Sequence, residues 1–148
     1  MSGSLTHSPS AILRQLLVDL SLGTDPADEG IWPVYQGREP DTPDKTITTY
    51  DTEGVQDGRT MVGGRVYEHH GSQIRVRAAN EPTAFEKARE IAVDLDEGEY
   101  YVAVTISTST YLVQSISRVS GPLSIGKEPN SQRNLITINV KMAIRQTN

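Results

Sequence analysis

Apolar residues recur at helical spacing in two segments of the chain. The first follows Ser8-Pro9, where serine can cap free backbone amides and proline fits the first helical position. It predicts a helix from Pro9 to Leu22, closed by a left-handed residue at Gly23. The second begins around Thr83 and Glu86, which have capping-box spacing, and ends near residues 96–98. The two apolar stripes are Ile12, Leu13, Leu16, Leu17 and Leu20, and then Ala84, Ala88, Ile91, Ala92 and Leu95.

Other segments alternate between apolar and polar residues with the period of a β-strand. The longest alternation runs from Leu135 to Ile144 and places five apolar residues on one face. Weaker patterns predict strands at 46–51, 73–78, 101–106 and 111–119, and Pro33 makes the piece IWPVY an edge strand or a strand start. We expect a long loop or a protruding hairpin at 53–64, and a projecting excursion at 118–134.

The predicted element order is α-β-β-β-α-β-β-β. One amphipathic sheet with two amphipathic helices predicts an α+β fold with two layers. The sheet is expected to be mostly antiparallel, with five to six strands and both helices on one face. The 148 residues suit a single domain over 1–148, in which residues 1–8 are expected to be disordered.

Composition excludes several classes of function. The chain has no cysteine, so it has neither a disulfide framework nor a Cys-ligated metal site. It has no apolar run of membrane-spanning length and no signal-peptide pattern at its start, so we expect a soluble intracellular product. The net charge of −5 argues against sequence-independent binding of nucleic acid. The net charge is −6 through Val62 and +1 from Gly63 onward, which indicates either two unlike faces suited to self-association or docking, or simply an unevenly charged surface.

Two neighbouring histidines in YEHHGSQIRVR are the first candidates for chemistry. On a strand, however, His69 and His70 point to opposite faces, and Glu68 shares a side only with His70. No third histidine stands at a metal-binding spacing, so we predict a structural or surface role. The same alternation turns Ile74 inward and the arginines at 75 and 77 outward, as a basic outer face of the strand.

No catalytic set is defensible elsewhere. The chain lacks the nucleophile elbow of hydrolases and the phosphate-binding glycine loop. Asp41 and Asp44, with Glu39, lie in a proline-rich polar link where little would raise a carboxyl pKa. We therefore predict no enzyme activity, no cofactor and no metal site, and a small metal enzyme built on the histidines is the remote alternative.

In its order of elements the chain resembles the tail terminator proteins of long-tailed bacteriophages, also labelled minor capsid or tail completion proteins. The resemblance covers Ile12 to Ile144. A leading helix and the segment IWPVYQGREPDTPDKTITTYDTEG are followed by the QIRVRA strand and the helix AFEKAREIAVDL. After these come a strand, YLVQSISRVSGP, and a polar loop returning through RNLITINVKMAI.

This resemblance implies an α+β subunit that assembles as a ring, usually of six copies, on the end of the tail tube. The ring stops tube polymerisation and provides the docking surface for the head. The implied partners are further copies of the chain, the tail tube protein and a head completion or connector protein, while DNA passes through the bore without specific binding. The implied location is the head-proximal end of the virion tail, assembled in the host cytoplasm.

A ring contact between identical subunits joins two different patches, so each subunit must carry both. The acidic first segment and the basic strand face are candidates for them. The candidate interface residues are Asp41, Asp44, Arg75, Arg77, Arg118 and Arg133. Another neck component, such as a head completion or stopper protein, remains the main alternative.

Overall fold

The structure, a computed structural model, describes residues 5–28, 30–40, 44–52, 55–59, 66–97, 102–127 and 133–146, with the backbone alone over 55–59, 66–69 and 97. The helices are α1 (Pro9–Asp19) and α2 (Glu81–Glu97). The strands are β1 (Val34–Gln36), β2 (Thr46–Asp51), β3 (Val55–Arg59), β4 (Val66–Ala78), β5 (Val102–Ile106), β6 (Ser109–Lys127) and β7 (Asn134–Gln146). No helix within these ranges is long and apolar enough to span a bilayer.

The strands form one mixed sheet. Six of them follow the order β1-β2-β4-β7-β6-β5, and β3 pairs with β4 beside this path. Only β1 and β2 run parallel among the described pairs, so the sheet is mostly antiparallel. The helix α1 contacts β1 and β2 at one end of the order and β5 at the other, which shows that the sheet curls around it.

Both helices bury their apolar stripes in a single core. Leu13 and Leu16 of α1 and Ala84 and Ala88 of α2 belong to one cluster with Ile74 of β4. The alanines bring α2 close to the sheet, and each fully buried leucine contributes about 1.5–3 kcal/mol. The alternation along β7 is borne out, since Ile136, Ile138, Val140, Met142 and Ile144 are all buried. The predicted α+β fold with two layers is confirmed.

The start of α1 matches its pattern, but its end does not. Ser8 accepts a hydrogen bond from the Ala11 amide at 3.3 Å, as predicted for a cap. The helix ends at Asp19, and the left-handed residue is Ser21, with φ of 61°. Gly23 is needed for a different reason. A Cβ there would lie 2.3 Å from Val34 Cγ2 and 2.7 Å from the Trp32 carbonyl oxygen, so the glycine lets β1 approach.

The second helix begins two residues before the predicted cap. The Asn80 side chain accepts a hydrogen bond from the Thr83 amide at 3.0 Å, so Asn80 is the cap and Thr83 lies inside the helix. Pro82 is compatible with this start because the first helical amides need no intrahelical acceptor.

The excursion predicted at 118–134 is wrong over 118–127, and residues 128–132 lie outside the described ones. β6 continues to Lys127 and stays paired with β7, where Lys127 lies opposite Asn134. Four register irregularities interrupt the pairing, at Val113/Ser115, Arg118/Ser120, Ser120/Leu123 and Ser124/Gly126. Each irregularity breaks the alternation that marks a strand in sequence, which explains why the segment resembles a loop.

The hairpin alternative predicted at 53–64 is borne out in its described residues, and the start of the chain is more ordered than expected. Of the loop or hairpin predicted at 53–64, residues 55–59 form β3, which pairs with the first part of β4 as a hairpin; residues 53–54 and 60–65 lie outside the described ones. At the start of the chain, the Thr6 amide donates to Gln146 Oε1 at 3.0 Å. The His7 amide donates to the Tyr111 hydroxyl at 2.9 Å. Residues 5–8 are thereby tied to the end of the sheet, and residues 1–4 are not described.

Candidate interface surfaces

The side of the sheet away from the helices, here called the outer face, carries a cross-strand arrangement of polar residues. Ile74 and Val76 point into the core, so Arg75 and Arg77 point to the outer face, as alternation predicts. In the strand register, Thr137 of β7 lies between Arg75 on one side and Leu123 of β6 on the other. The outer face therefore joins the arginine strand to the second half of β6.

Four of the candidate interface residues belong to a set of ion pairs on this face, the acid–arginine cluster, formed by Glu39, Asp44, Arg75, Arg77 and Arg133. Arg77 Nη1 lies 3.2 Å from Glu39 Oε1, and Arg77 Nε donates to the Asp44 carbonyl oxygen at 3.4 Å. Arg75 Nη1 lies 3.8 Å from the other oxygen of Glu39. Arg133 Nη1 lies 3.3 Å from Asp44 Oδ1. The cluster ties the acidic link to β4 and to the start of β7.

The cluster is buried at its centre and exposed at its rim. The side chains of Arg77 and Glu39 are 2% and 12% exposed, whereas those of Arg75 and Asp44 are 31% and 63% exposed. A buried pair is costly to break, because the remaining charge is left in a poorly solvated place. The prediction of an exposed basic face is therefore wrong at Arg77, and the view of Glu39 as part of a solvated link is also wrong.

Tyr50 forms the edge of the cluster. The Arg75 guanidinium lies over its ring, 5.0 Å from the centroid, in a cation–π contact. Burial raises the pKa of the Tyr50 hydroxyl, and the nearby Glu39 carboxylate raises it further. The phenol stays neutral at ordinary pH, so it adds an apolar cover for the arginine without adding charge.

The remaining candidate residues are placed separately. Arg118 Nη2 lies 2.9 Å from Asp96 Oδ2 of α2, with both side chains more than a third exposed. Arg118 Nη1 also donates to the Gly121 carbonyl oxygen at 3.0 Å. Asp41 lies outside the described residues. The structure thus unites Asp44, Arg75, Arg77 and Arg133, and it leaves Arg118 apart on the helix side of β6.

The two histidines of the opening motif lie within β4. In its register, His69 is opposite Ala143 and His70 is opposite Met142, so the backbone alternation separates them. His70 is half-buried on the core side, while the side chains of Glu68 and His69 are not described. In the described part of the chain, no three His, Asp or Glu residues are grouped so that they could hold a metal ion.

The second half of β6, residues 114–127, is the most unusual surface and is called the β6 arm below. Its neighbour β5 pairs only with Ser109–Val113, so the arm is paired along one edge in the described structure. Val119, Leu123 and Ile125 on the arm are 57%, 58% and 48% exposed. Sequence reasoning missed these residues because the segment was interpreted as a polar loop, although its three large apolar residues were the available signal.

A family model described as bacteriophage tail terminator protein matches residues 16–146. The chain belongs to the bacteriophage tail terminator family. The predicted family is confirmed, and the match spans the last residues of α1, all of α2, the acid–arginine cluster and the β6 arm. No curated protein matches the chain.

Membership of the tail terminator family indicates a structural role in tail assembly and a place in the virion tail. This role agrees with a surface whose prominent features are ion pairs and exposed apolar side chains. In a structural protein, such features act through packing and charge complementarity with neighbouring subunits.

Proposed function

We propose that this chain forms a ring, of about six subunits, that caps the growing tail tube, stops its polymerisation and presents a docking surface to the head. The observation that carries the proposal is the match of residues 16–146 to the tail terminator family. The partners proposed on this basis are other copies of the chain, the tail tube protein and a head completion or connector protein. The ring sits at the head-proximal end of the tail and assembles in the host cytoplasm.

The surfaces of the subunit support a closed ring. A ring requires a heterologous contact, in which one patch meets a different patch on the next copy. The chain has unlike surfaces of this kind. Exposed Glu86, Glu90 and Asp94 lie along α2, whereas the exposed Lys127 ends the β6 arm and the exposed Lys141 lies opposite Ser117 of the arm. The proposed role requires no catalysis, since a cap acts by occupying the tube end.

The bore of the ring must pass DNA without retaining it. A net charge of −5 per subunit disfavours the release of phosphate counterions that drives general DNA binding. The acid–arginine cluster also disfavours DNA binding, because its most deeply buried arginine, Arg77, is neutralised by Glu39 within the chain.

Polymerisation of the tail tube protein with and without this chain tests the proposal directly. Negative-stain electron microscopy should show shorter tubes, each with an extra ring at one end, when the chain is present. Tubes of unchanged length with bare ends would contradict tube capping. Binding to portal-side neck proteins in the absence of tubes would instead favour another neck component.

A further inference from the structure

The β6 arm has an apolar surface that its own fold does not use. Seven large apolar side chains are exposed in the described part of the chain, and three of them lie on the arm at Val119, Leu123 and Ile125. Soluble monomers rarely concentrate exposed apolar area in this way unless a partner covers it. The arm is therefore a candidate for contact with another protein.

Strand addition is a poor explanation for this contact. The arm contains three of the four register irregularities of β6, and bulges twist an edge away from regular pairing with a new strand. Gly121 and Gly126 also have positive φ values of 95° and 98°. The arm is better suited to offer its side chains to a packed surface than its backbone to a neighbouring strand.

Helix α2 offers a surface of matching character. Its face away from the sheet carries Phe85 and Val93, which are 42% and 37% exposed. Glu86, Glu90 and Asp94 are exposed at spacings of four residues, which places them side by side along the same half of the helix. This surface, the α2 outer face, carries Phe85 and Val93 on one row with the exposed Arg89 between them, and the three carboxylates on the neighbouring row.

The charges around the arm are of the opposite sign. Lys127 ends the arm and is exposed, and the exposed Lys141 lies opposite Ser117 in the β6–β7 register. Apolar side chains flanked by lysines on one surface and by carboxylates on the other are complementary. The α2 outer face points away from the sheet that holds the arm, so the two surfaces cannot meet within one chain.

We infer that the β6 arm of one subunit packs on the α2 outer face of a second copy of this chain. This contact rests on the proposed ring, because it is the heterologous interface that such a ring needs. Leu123 and Ile125 pack against Phe85 and Val93, while Lys127 meets the acidic side of the helix. Repetition of the contact around an axis closes the ring without leaving either surface exposed.

Cysteine cross-linking tests the contact cleanly because the natural chain has no cysteine. The double variant Val93→Cys/Leu123→Cys, assembled on tube ends and oxidised, should give a ladder of covalent multimers. Each single variant should remain monomeric on a denaturing gel, since position 93 meets position 123 and not itself. Ile31→Cys/Leu123→Cys is the matched control, because Ile31 is 73% exposed and lies outside both surfaces; it should give no ladder.

Charge exchange provides the second measurement. Glu86→Lys and Lys127→Glu should each weaken self-association about fivefold, and the double variant should restore it. Rings that form without the 93–123 ladder, or a covalent dimer from Leu123→Cys alone, would overturn this interface and leave the ring intact. Absence of any self-association, with or without tube ends, would overturn the proposed ring together with it.

Discussion

Arg75 and Leu123 lie on the same face of the sheet, on either side of Thr137, yet their surroundings differ completely. Arg75 belongs to the acid–arginine cluster, where the link supplies Glu39 as a partner. Leu123 lies two strands away and is 58% exposed. The charge of Arg75 is therefore paired within the subunit, whereas the apolar side chain of Leu123 is left exposed.

This difference teaches that charge alone is a poor guide to an assembly surface. Arginines and acids can satisfy one another inside a subunit, as Arg77 and Glu39 do, and a satisfied pair offers little to a partner. The exposed apolar side chains on the β6 arm are not covered by other residues of the described subunit. We therefore expect the cluster to determine stability and the arm to determine assembly.

The largest expected effect on stability is the loss of Arg77. Arg77→Met should lower the free energy of unfolding by about 3 kcal/mol, because the Glu39 carboxylate loses its closest cation in a buried place. Urea unfolding followed by circular dichroism measures this change. The control is Arg75→Met, at the more exposed rim, which should cost less than about 1 kcal/mol. Equal costs for the two variants would remove the distinction between the centre and the rim.

The next effect concerns the backbone of the arm. Gly121→Ala should lower the free energy of unfolding by about 1–3 kcal/mol. The added Cβ would lie 2.4 Å from the Thr137 carbonyl oxygen at a φ of 95°. Gly126→Ala is matched in φ, at 98°, but its Cβ meets nothing within 4 Å, so its cost should be smaller. Hydrogen exchange should show faster exchange in β7 amides near Thr137 for Gly121→Ala only.

A smaller effect is expected at the ion pair between the arm and α2. Arg118→Ala should cost at most about 1 kcal/mol, because both Arg118 and Asp96 are solvated and the pair is screened by salt. Thermal unfolding at low and high salt should show the difference from wild type shrinking as salt rises. A cost as large as that of Arg77→Met would mean that exposure does not separate the two regions.

The contribution of the Tyr50 hydroxyl to stability should depend on pH. Its raised pKa means that the folded state keeps the phenol proton where the unfolded chain loses it. This contribution to stability is fully present below the unfolded tyrosine pKa of about 10 and is lost as pH rises through the folded value. The Tyr50→Phe variant has no phenol to titrate at this position, so it does not lose this stability as pH rises. The difference in free energy of unfolding between wild type and the variant should therefore shrink between about pH 9 and 11. A gap that stays constant with pH would contradict the assignment.

The smallest effect on stability is expected at Leu123, on the exposed β6 arm. Leu123→Ser should change the free energy of unfolding by no more than about 0.5 kcal/mol, because the side chain is already solvated in the isolated subunit. Chemical unfolding of the dilute monomer measures it. A loss of 2 kcal/mol or more would show that Leu123 belongs to the core of the subunit and not to an assembly surface.

Regular patterns of apolar residues predict the fold well. The surfaces are predicted less well, because they depend on local irregularities and on contacts between distant parts of the chain. The strict alternation of β7 and the two apolar stripes specify the two layers because burial of one face dictates their period. In β6 the bulges erase that period. The partner of Arg77 could not be foreseen either, since Glu39 lies 38 residues earlier in the chain and is brought close only by the β2–β4 pairing. Strand alternation alone therefore predicts an exposed Arg77, whereas the structure shows its charge neutralised within the subunit.

The central claim is tested most directly by comparing the Leu123→Ser variant with wild type in sedimentation velocity. Both proteins are measured in the presence of tail tube ends, under conditions in which both are folded. We expect the variant to unfold like wild type but to remain monomeric where wild type forms rings. A variant that assembles as wild type does would contradict the assignment of assembly to the β6 arm.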